Sequence, residues 1–158
     1  TEIYTLSLHD ALPIYSTMMS RSLSPYTGVV CAAPSYLAER GTPTHPRDLA
    51  AHECLRYPGW SDAQRWSFLG PEGEVQVDVT SRLFINSAFG IRYAALAGAG
   101  IVLMRDELLA EDIAAGRLQV LLPNYTTQAR ARQILWPRNR KMTPKLRALI
   151  DFIVETYG

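Results

Sequence analysis

Between Leu83 and Met104 the hydrophobic pattern changes period twice, and that change limits the folds open to the chain. Leu83-Phe84-Ile85 is a short apolar run that reads as a strand. Asn86 and Ser87 follow as a polar pair. Ala88 to Ala97 is Ala-rich and reads as a helix, ended by Gly98-Ala99-Gly100, and Ile101 to Met104 is apolar again. Strand, helix, strand in this order is a βαβ unit, which calls for a parallel pair and a sheet covered by helices. Ser87 suits the helix cap, because its hydroxyl accepts from an unsatisfied backbone N–H. The helix start then faces the carboxyl end of the preceding strand. Open α/β sheets take ligands at such ends, and free helix N–H groups favour anions.

The rest of the chain continues the alternation. Gly28 to Ala33 is an apolar run that reads as a buried strand. Pro34 to Gly41 reads as a helix, with proline at its first position and glycine just past its end. Thr42 to Pro46 is a loop by its two prolines, and Arg47 to His52 allows one helical turn. Cys54 to Tyr57 is a second short strand, stopped by Pro58-Gly59. Arg65–Leu69 and Glu74–Thr80 form a predicted hairpin around Gly70-Pro71-Glu72-Gly73, with Val75, Val77 and Val79 on its buried face. Asp106 is placed to cap a helix over about 107–115, with Leu108, Leu109 and Ile113 on one face and Gly116 as its stop. Leu118–Leu122 and Gln133–Trp136 read as strands. Thr143-Pro144 opens a last helix, along which Leu146, Leu149, Ile150, Ile153, Val154 and Tyr157 recur at helical spacing. Residues 15–27 read as polar and irregular. Strands alternating with helices argue an α/β fold.

Several function classes fall away on composition. The chain has 158 residues, enough for one domain or two small lobes, and a net charge of +1. Two cysteines, Cys31 and Cys54, make no disulfide framework. No run of 18 apolar residues offers a membrane span. Thr1 to Ile14, TEIYTLSLHDALPI, reads like the conceptual translation of a sequencing-library adapter. It is set aside as an expected non-native tail of residues 1–14. Without Glu2 and Asp10 the balance is 16 basic to 13 acidic residues.

Catalytic and metal patterns are weak. Cys31, His45, His52 and Cys54 lack ligand-type spacing, so no metal is expected, and the cysteines read as buried small hydrophobes. Gly98-Ala99-Gly100 follows a helix rather than a strand, so it is no dinucleotide fingerprint. There is no nucleophile elbow and no phosphate loop, and no cofactor is expected. An enzyme using a Schiff-base lysine would have only Lys141 and Lys145, in or beside the last helix. Glu107, Glu111 and Asp112 read as a wet helix face. From Ile113 to Ile150 there is no acidic residue. The eight cations there are read as solvated charge rather than a nucleic-acid patch.

Four segments in register carry a resemblance: VVCAAPSYLAERGTPTHPRDLAAHECLRY, INSAFGIRYAALAGAGIVLM, ELLAEDIAAGRLQVLLPNY and TPKLRALIDFIVE. Over Gly28 to Gly158 the chain resembles the later part of the effector-binding domain of LysR-type transcriptional regulators. The resemblance implies a type 2 periplasmic-binding-protein-like α/β fold, with one nearly whole lobe (II) and the returning strand and helix of lobe I. It assigns 15–27 to the crossover, 28–125 to lobe II and 126–158 to the return segment. The family's DNA-binding winged helix-turn-helix has no counterpart here, so DNA is expected to be met only through that missing domain. On the same ground Gln133–Trp136 is expected to lack partner strands.

The resemblance also implies a function. A small, anionic or carboxylate effector would bind in an inter-lobe cleft and so control transcription, in a bacterial, cytoplasmic protein that is a homo-oligomer when intact. The alternative is a stand-alone solute-binding domain of the same fold. The candidate effector contacts are Ser35, Tyr57, Gly59, Trp60, Asn86 and Ser87. Tyr57, Gly59 and Trp60 follow a strand that the family places at the cleft wall, where aromatic groups suit small molecules. Asn86 and Ser87 read alternatively as a simple helix cap, and for Ser35 a cap or turn is the preferred reading. Arg56 could serve a carboxylate, but a solvated side chain is the preferred reading. Three positions depart from the family pattern: Ser87 stands where an acid is common, Arg105 where proline is, and Glu107 where an aromatic or apolar residue is.

Overall fold

A computed structural model describes residues 18–57, 64–138 and 142–158. These residues divide into two compact units, one of 18–25 with 131–158 and one of 26–130. Thr1 to Ile14 lies outside the described residues.

The larger unit is built on a four-stranded mixed sheet. Its strands are β2 (Gly28–Ala32), β3 (Cys54–Leu55), β6 (Ile101–Arg105) and β7 (Gln119–Leu121), in the order β3-β6-β2-β7. β3 runs parallel to β6, with Cys54 opposite Ile101 and Leu55 opposite Val102. β2 runs antiparallel to β6 and to β7. The runs at Gly28, Cys54 and Ile101 are apolar without alternation because both faces of this sheet are covered. Val102, Met104, Leu55 and Cys31 meet helices α2 (Ala88–Leu96) and α3 (Asp106–Ala114) on one face. Cys54, Ile101 and Leu103 meet α1 (Pro34–Arg40), a 3-10 helix over Pro46–Ala51 and a hairpin on the other. That hairpin pairs β4 (Arg65–Gly70) with β5 (Gly73–Asp78). It joins β8 (Thr126–Thr127) in a three-stranded sheet of order β5-β4-β8. Val75, Val77 and Val79 are buried, as their alternation requires.

The helix boundaries follow their local chemistry. Ser87 Oγ accepts from Gly90 N at 3.3 Å and opens α2. Gly98, at φ +75°, lets the chain leave α2 and turn into β6, a conformation that L side chains rarely adopt. Pro46 sits at the start of the 3-10 turn, and His45 caps it, its Nδ1 accepting from Arg47 N.

Three expectations change. Leu83–Ile85 forms no extended strand; a single parallel bridge joins Phe84 to Arg56. Asp106 is the first residue of α3 rather than its cap, and its carboxylate accepts from Glu107 N at 2.8 Å. Asp112 does not lie on a wet face; it is 0% exposed.

The smaller unit overturns the irregular reading of 15–27. Met18–Tyr26 is a nine-residue strand, β1, paired with β9 (Arg130–Pro137) in a two-stranded sheet. Gln133–Trp136 therefore does have a partner strand. The pairing joins segments more than 100 residues apart, which no local pattern reveals. Only Leu23 of β1 is buried, so the strand carries no clear alternation. Pro25 is tolerated close to the end of a strand with only one partner. Helix α4 (Pro144–Tyr157) is capped by Thr143, whose hydroxyl accepts from Leu146 N at 3.2 Å. Ile150 is buried, while Leu149 and Phe152 are exposed.

Candidate functional site

The parallel pair β3–β6 sets the geometry of the larger unit. At the carboxyl end of β3, Arg56 N donates to Leu83 O at 3.2 Å and Ile85 N donates to Arg56 O at 3.1 Å. These bonds hold 83–85 beside the strand and deliver Asn86 and Ser87 to the start of α2. A Cβ on Gly90 would stand 2.8 Å from Ile85 Cγ2, so glycine there lets the helix start seat closely on that segment. Asn86 and Ser87 are exposed, and Tyr57 is half-buried against both core clusters. Ser87 satisfies one first-turn N–H through its oxygen and keeps its own proton free to donate. No acidic residue lies in the first turn of α2. Tyr57, Asn86 and Ser87 thus share one end of the sheet.

Ser35 does not join them. Its hydroxyl lies 3.0 Å from where a Cβ on Gly98 would stand, at the far end of α2. Gly59 and Trp60 lie outside the described residues.

Arg56 is not the solvated cation expected of it. Among the described residues its Nε is buried with no hydrogen-bond partner, and its guanidinium carbon stands 5.6 Å from the centre of the Phe84 ring. Arg105 stands 5.4 Å from the ring centre of Tyr26.

Asp112 gathers two arginines. Arg92 donates to both its oxygens, at 2.5 and 2.9 Å, and Arg117 Nε donates at 2.8 Å. Burial works to raise this carboxyl, but the bonds from Arg92 and Arg117 outweigh it and hold it below the ordinary carboxylate range. The network ties α2 to α3. It escaped sequence reasoning because Arg92 lies 20 residues away and α3 otherwise looks wet on that side. His45 Nε2 to Glu72 at 2.8 Å and Tyr125 OH to Glu72 at 3.0 Å likewise join the hairpin turn to two distant segments.

Cys31 and Cys54 are free and 0% exposed, and burial pushes each thiol up to about 12. They behave as small hydrophobes. Among the described residues no group of three His, Cys, Asp or Glu side chains is placed to hold a metal.

The strand-end site sits on a recognisable domain: the LysR substrate binding domain model matches residues 13–158. The chain belongs to that family. The match reaches back past Gly28, where the resemblance begins, and takes in β1. Curated LysR-domain relatives include the uncharacterized HTH-type transcriptional regulator YcaN of Escherichia coli, 32% identical over 139 residues, covering 86% of this chain and 45% of that protein. CrgA of Neisseria meningitidis is also 32% identical, over 130 residues, covering 82% and 43%. The chain spans about half the length of the curated relatives it matches. Among solved structures, the CrgA regulatory domain superposes at a TM-score of 0.81 with 29% identity, covering 94% of this chain and 72% of that one. Full-length AphB of Vibrio cholerae superposes at 0.77 with 25% identity, covering 90% and 49%. The periplasmic-binding-protein-like α/β class of the LysR domain is therefore this chain's fold. Among the described residues no helix is long and apolar enough to cross a membrane.

Proposed function

We propose that this LysR domain senses a small anionic molecule at the strand-end site and passes its occupancy to transcription, through the DNA-binding region named in its relatives' HTH-type descriptions. The observation that carries this reading is the start of α2. Ser87 and Asn86 present polar groups and first-turn N–H donors beside the half-buried Tyr57, with no carboxylate in that turn. Helix-start donors favour negative charge, and an aromatic wall contributes contact area. The effector binds and leaves unchanged. It acts by favouring one arrangement of the protein over another, since a ligand shifts an equilibrium only through differential affinity. The intact protein is read as a cytoplasmic homo-oligomer that meets DNA outside this segment.

The test is ligand binding. Small carboxylates are titrated against the protein and against Ser87→Ala, with melting temperature and calorimetry as readouts. A carboxylate that binds the parent and loses several-fold affinity in Ser87→Ala supports the reading. Unchanged affinity in both Ser87→Ala and Tyr57→Ala overturns it.

A further inference from the structure

Two arginines share one face and one end of the larger unit's sheet. Cys54 packs into the cluster on the hairpin face and Leu55 into the cluster on the helix face. Side chains alternate along a strand, so Arg56 returns to the hairpin face. Ile101 and Leu103 lie on the hairpin face, while Val102 and Met104 lie on the helix face, so Arg105 also belongs to the hairpin face. Continuing the β3–β6 register puts Arg56 beside Leu103, two positions short of Arg105. Strand geometry then separates their Cα atoms by roughly 8 Å.

Neither arginine has a carboxylate partner among the described residues, whereas Arg21, Arg65, Arg82, Arg92 and Arg117 all do. Each instead lies against its own aromatic ring, Arg56 on Phe84 and Arg105 on Tyr26. Among the described residues the Arg56 Nε is an unsatisfied buried donor, a group that native structures rarely keep without reason. Burial of that atom and the ring beneath fix the guanidinium plane, so an incoming carboxylate meets a preorganised fork. The nearest acid in sequence to Arg105 is Asp106, and its carboxylate already accepts from Glu107 N. Two separately seated guanidiniums on neighbouring strands, without a carboxylate partner among the described residues, offer two anion positions rather than one.

We propose that Arg56 and Arg105 form a two-point receptor for a small molecule carrying two anionic groups, a dicarboxylate in its simplest form. This deepens the effector reading above and rests on it for the purpose of the site.

The experiment uses the full chain at constant ionic strength. Succinate, glutarate and phthalate are titrated by calorimetry against acetate and benzoate. The same titrations are run on Arg56→Gln, Arg105→Gln, the conservative Arg56→Lys, and Arg40→Gln at the opposite end of the sheet. Circular dichroism checks that each variant is folded. At least one dicarboxylate is expected to bind tenfold or more tighter than its monocarboxylate counterpart. Each Gln variant should lose tenfold or more and bring that ratio toward one, Arg56→Lys should lose less, and Arg40→Gln should match the parent. Equal dicarboxylate affinity in parent and both Gln variants overturns the receptor, as does the absence of dicarboxylate binding at millimolar concentration. If monocarboxylates bind through Ser87 and Tyr57 while both Gln variants bind like the parent, the effector site stands and the receptor falls. If dicarboxylates require both arginines but ignore Ser87→Ala and Tyr57→Ala, the receptor stands and the reading of the α2 start falls.

Discussion

The two ends of the larger unit's sheet treat their polar groups in opposite ways. At the end where β3 and β6 begin, Tyr36, His52 and Glu53 are joined in one hydrogen-bonded network. Tyr36 OH accepts from Glu53 N at 2.9 Å and bonds His52 Nδ1 at 3.2 Å. Glu53 accepts from Arg82 N at 2.6 Å. Burial pushes the Tyr36 phenol up even though the Glu53 N–H favours its ionised form. A cavity of about 690 Å³ opens there, lined in part by Glu39, Arg40 and His52. At the end where the strands finish, Arg56 keeps a bare buried donor and Arg105 has no carboxylate partner among the described residues. Ser87 still has a proton to give. This cavity lies where Tyr36, His52 and Glu53 already have partners. Unsatisfied polar groups, rather than space, mark where a ligand lowers the free energy of this fold.

Changes at the saturated end and in the Asp112 network should cost stability and leave ligand binding alone, while changes at the other end should do the reverse. The largest effect is expected from Asp112→Ala, which strands two arginines and should destabilise by about 2–4 kcal/mol in chemical denaturation, less than a fully buried network because Arg117 is half exposed. The carboxyl is depressed in the fold, so its contribution is whole above the unfolded value of roughly 3.9 and is lost as pH falls through the lower folded value. The melting temperature of the parent should accordingly fall in that acid range, and Asp112→Asn, already lower at pH 7, should fall less. A parent and variant with parallel acid profiles would remove Asp112 from the account.

Tyr36→Phe comes next. It leaves Glu53 N without its acceptor and should cost about 1–2 kcal/mol, with unchanged carboxylate affinity. A loss of affinity would mean that the cavity end takes part in binding and that the contrast between ends is wrong. Ser87→Ala removes the α2 cap and should cost about 1 kcal/mol of stability along with several-fold in affinity. Arg56→Gln should change stability least, within about 0.5 kcal/mol, because among the described residues its Nε makes no hydrogen bond that would be lost. A large destabilisation there would show that the arginine is a packing residue whose missing partner has no bearing on ligands.

Much of the larger unit was legible because its signals are local. Ser87 as cap, Gly98 as stop, Pro34 at a helix start and the alternation of Val75, Val77 and Val79 depend on neighbours within a few residues. β1 was not legible, since a strand with one buried side chain declares itself only through its partner. Leu83–Ile85 looked like a strand and kept only its bridge at Phe84, because the sequence shows apolar content but not how many ladder bonds a neighbour will supply. Of the candidate contacts, Tyr57, Asn86 and Ser87 came together while Ser35 went to the far end of α2. Both placements follow from strand direction: Ser35 follows β2, which runs antiparallel to β6. A strand-to-helix junction is visible in sequence, but the end of the sheet it occupies is not.

The sequence alone determined the α/β class, the Ser87 and Thr143 caps with the Gly98 stop, and the family, because periodicity, capping chemistry and motif order are written residue by residue. The tertiary structure decided which charges are compensated. Asp112 lies among residues that look wet, and Arg56 on a strand that looks ordinary. Folding brought Arg92 and Arg117 to the first and, among the described residues, no carboxylate to the second. Ion pairing depends on through-space distance between segments tens of residues apart, and that distance exists only once the sheet has closed.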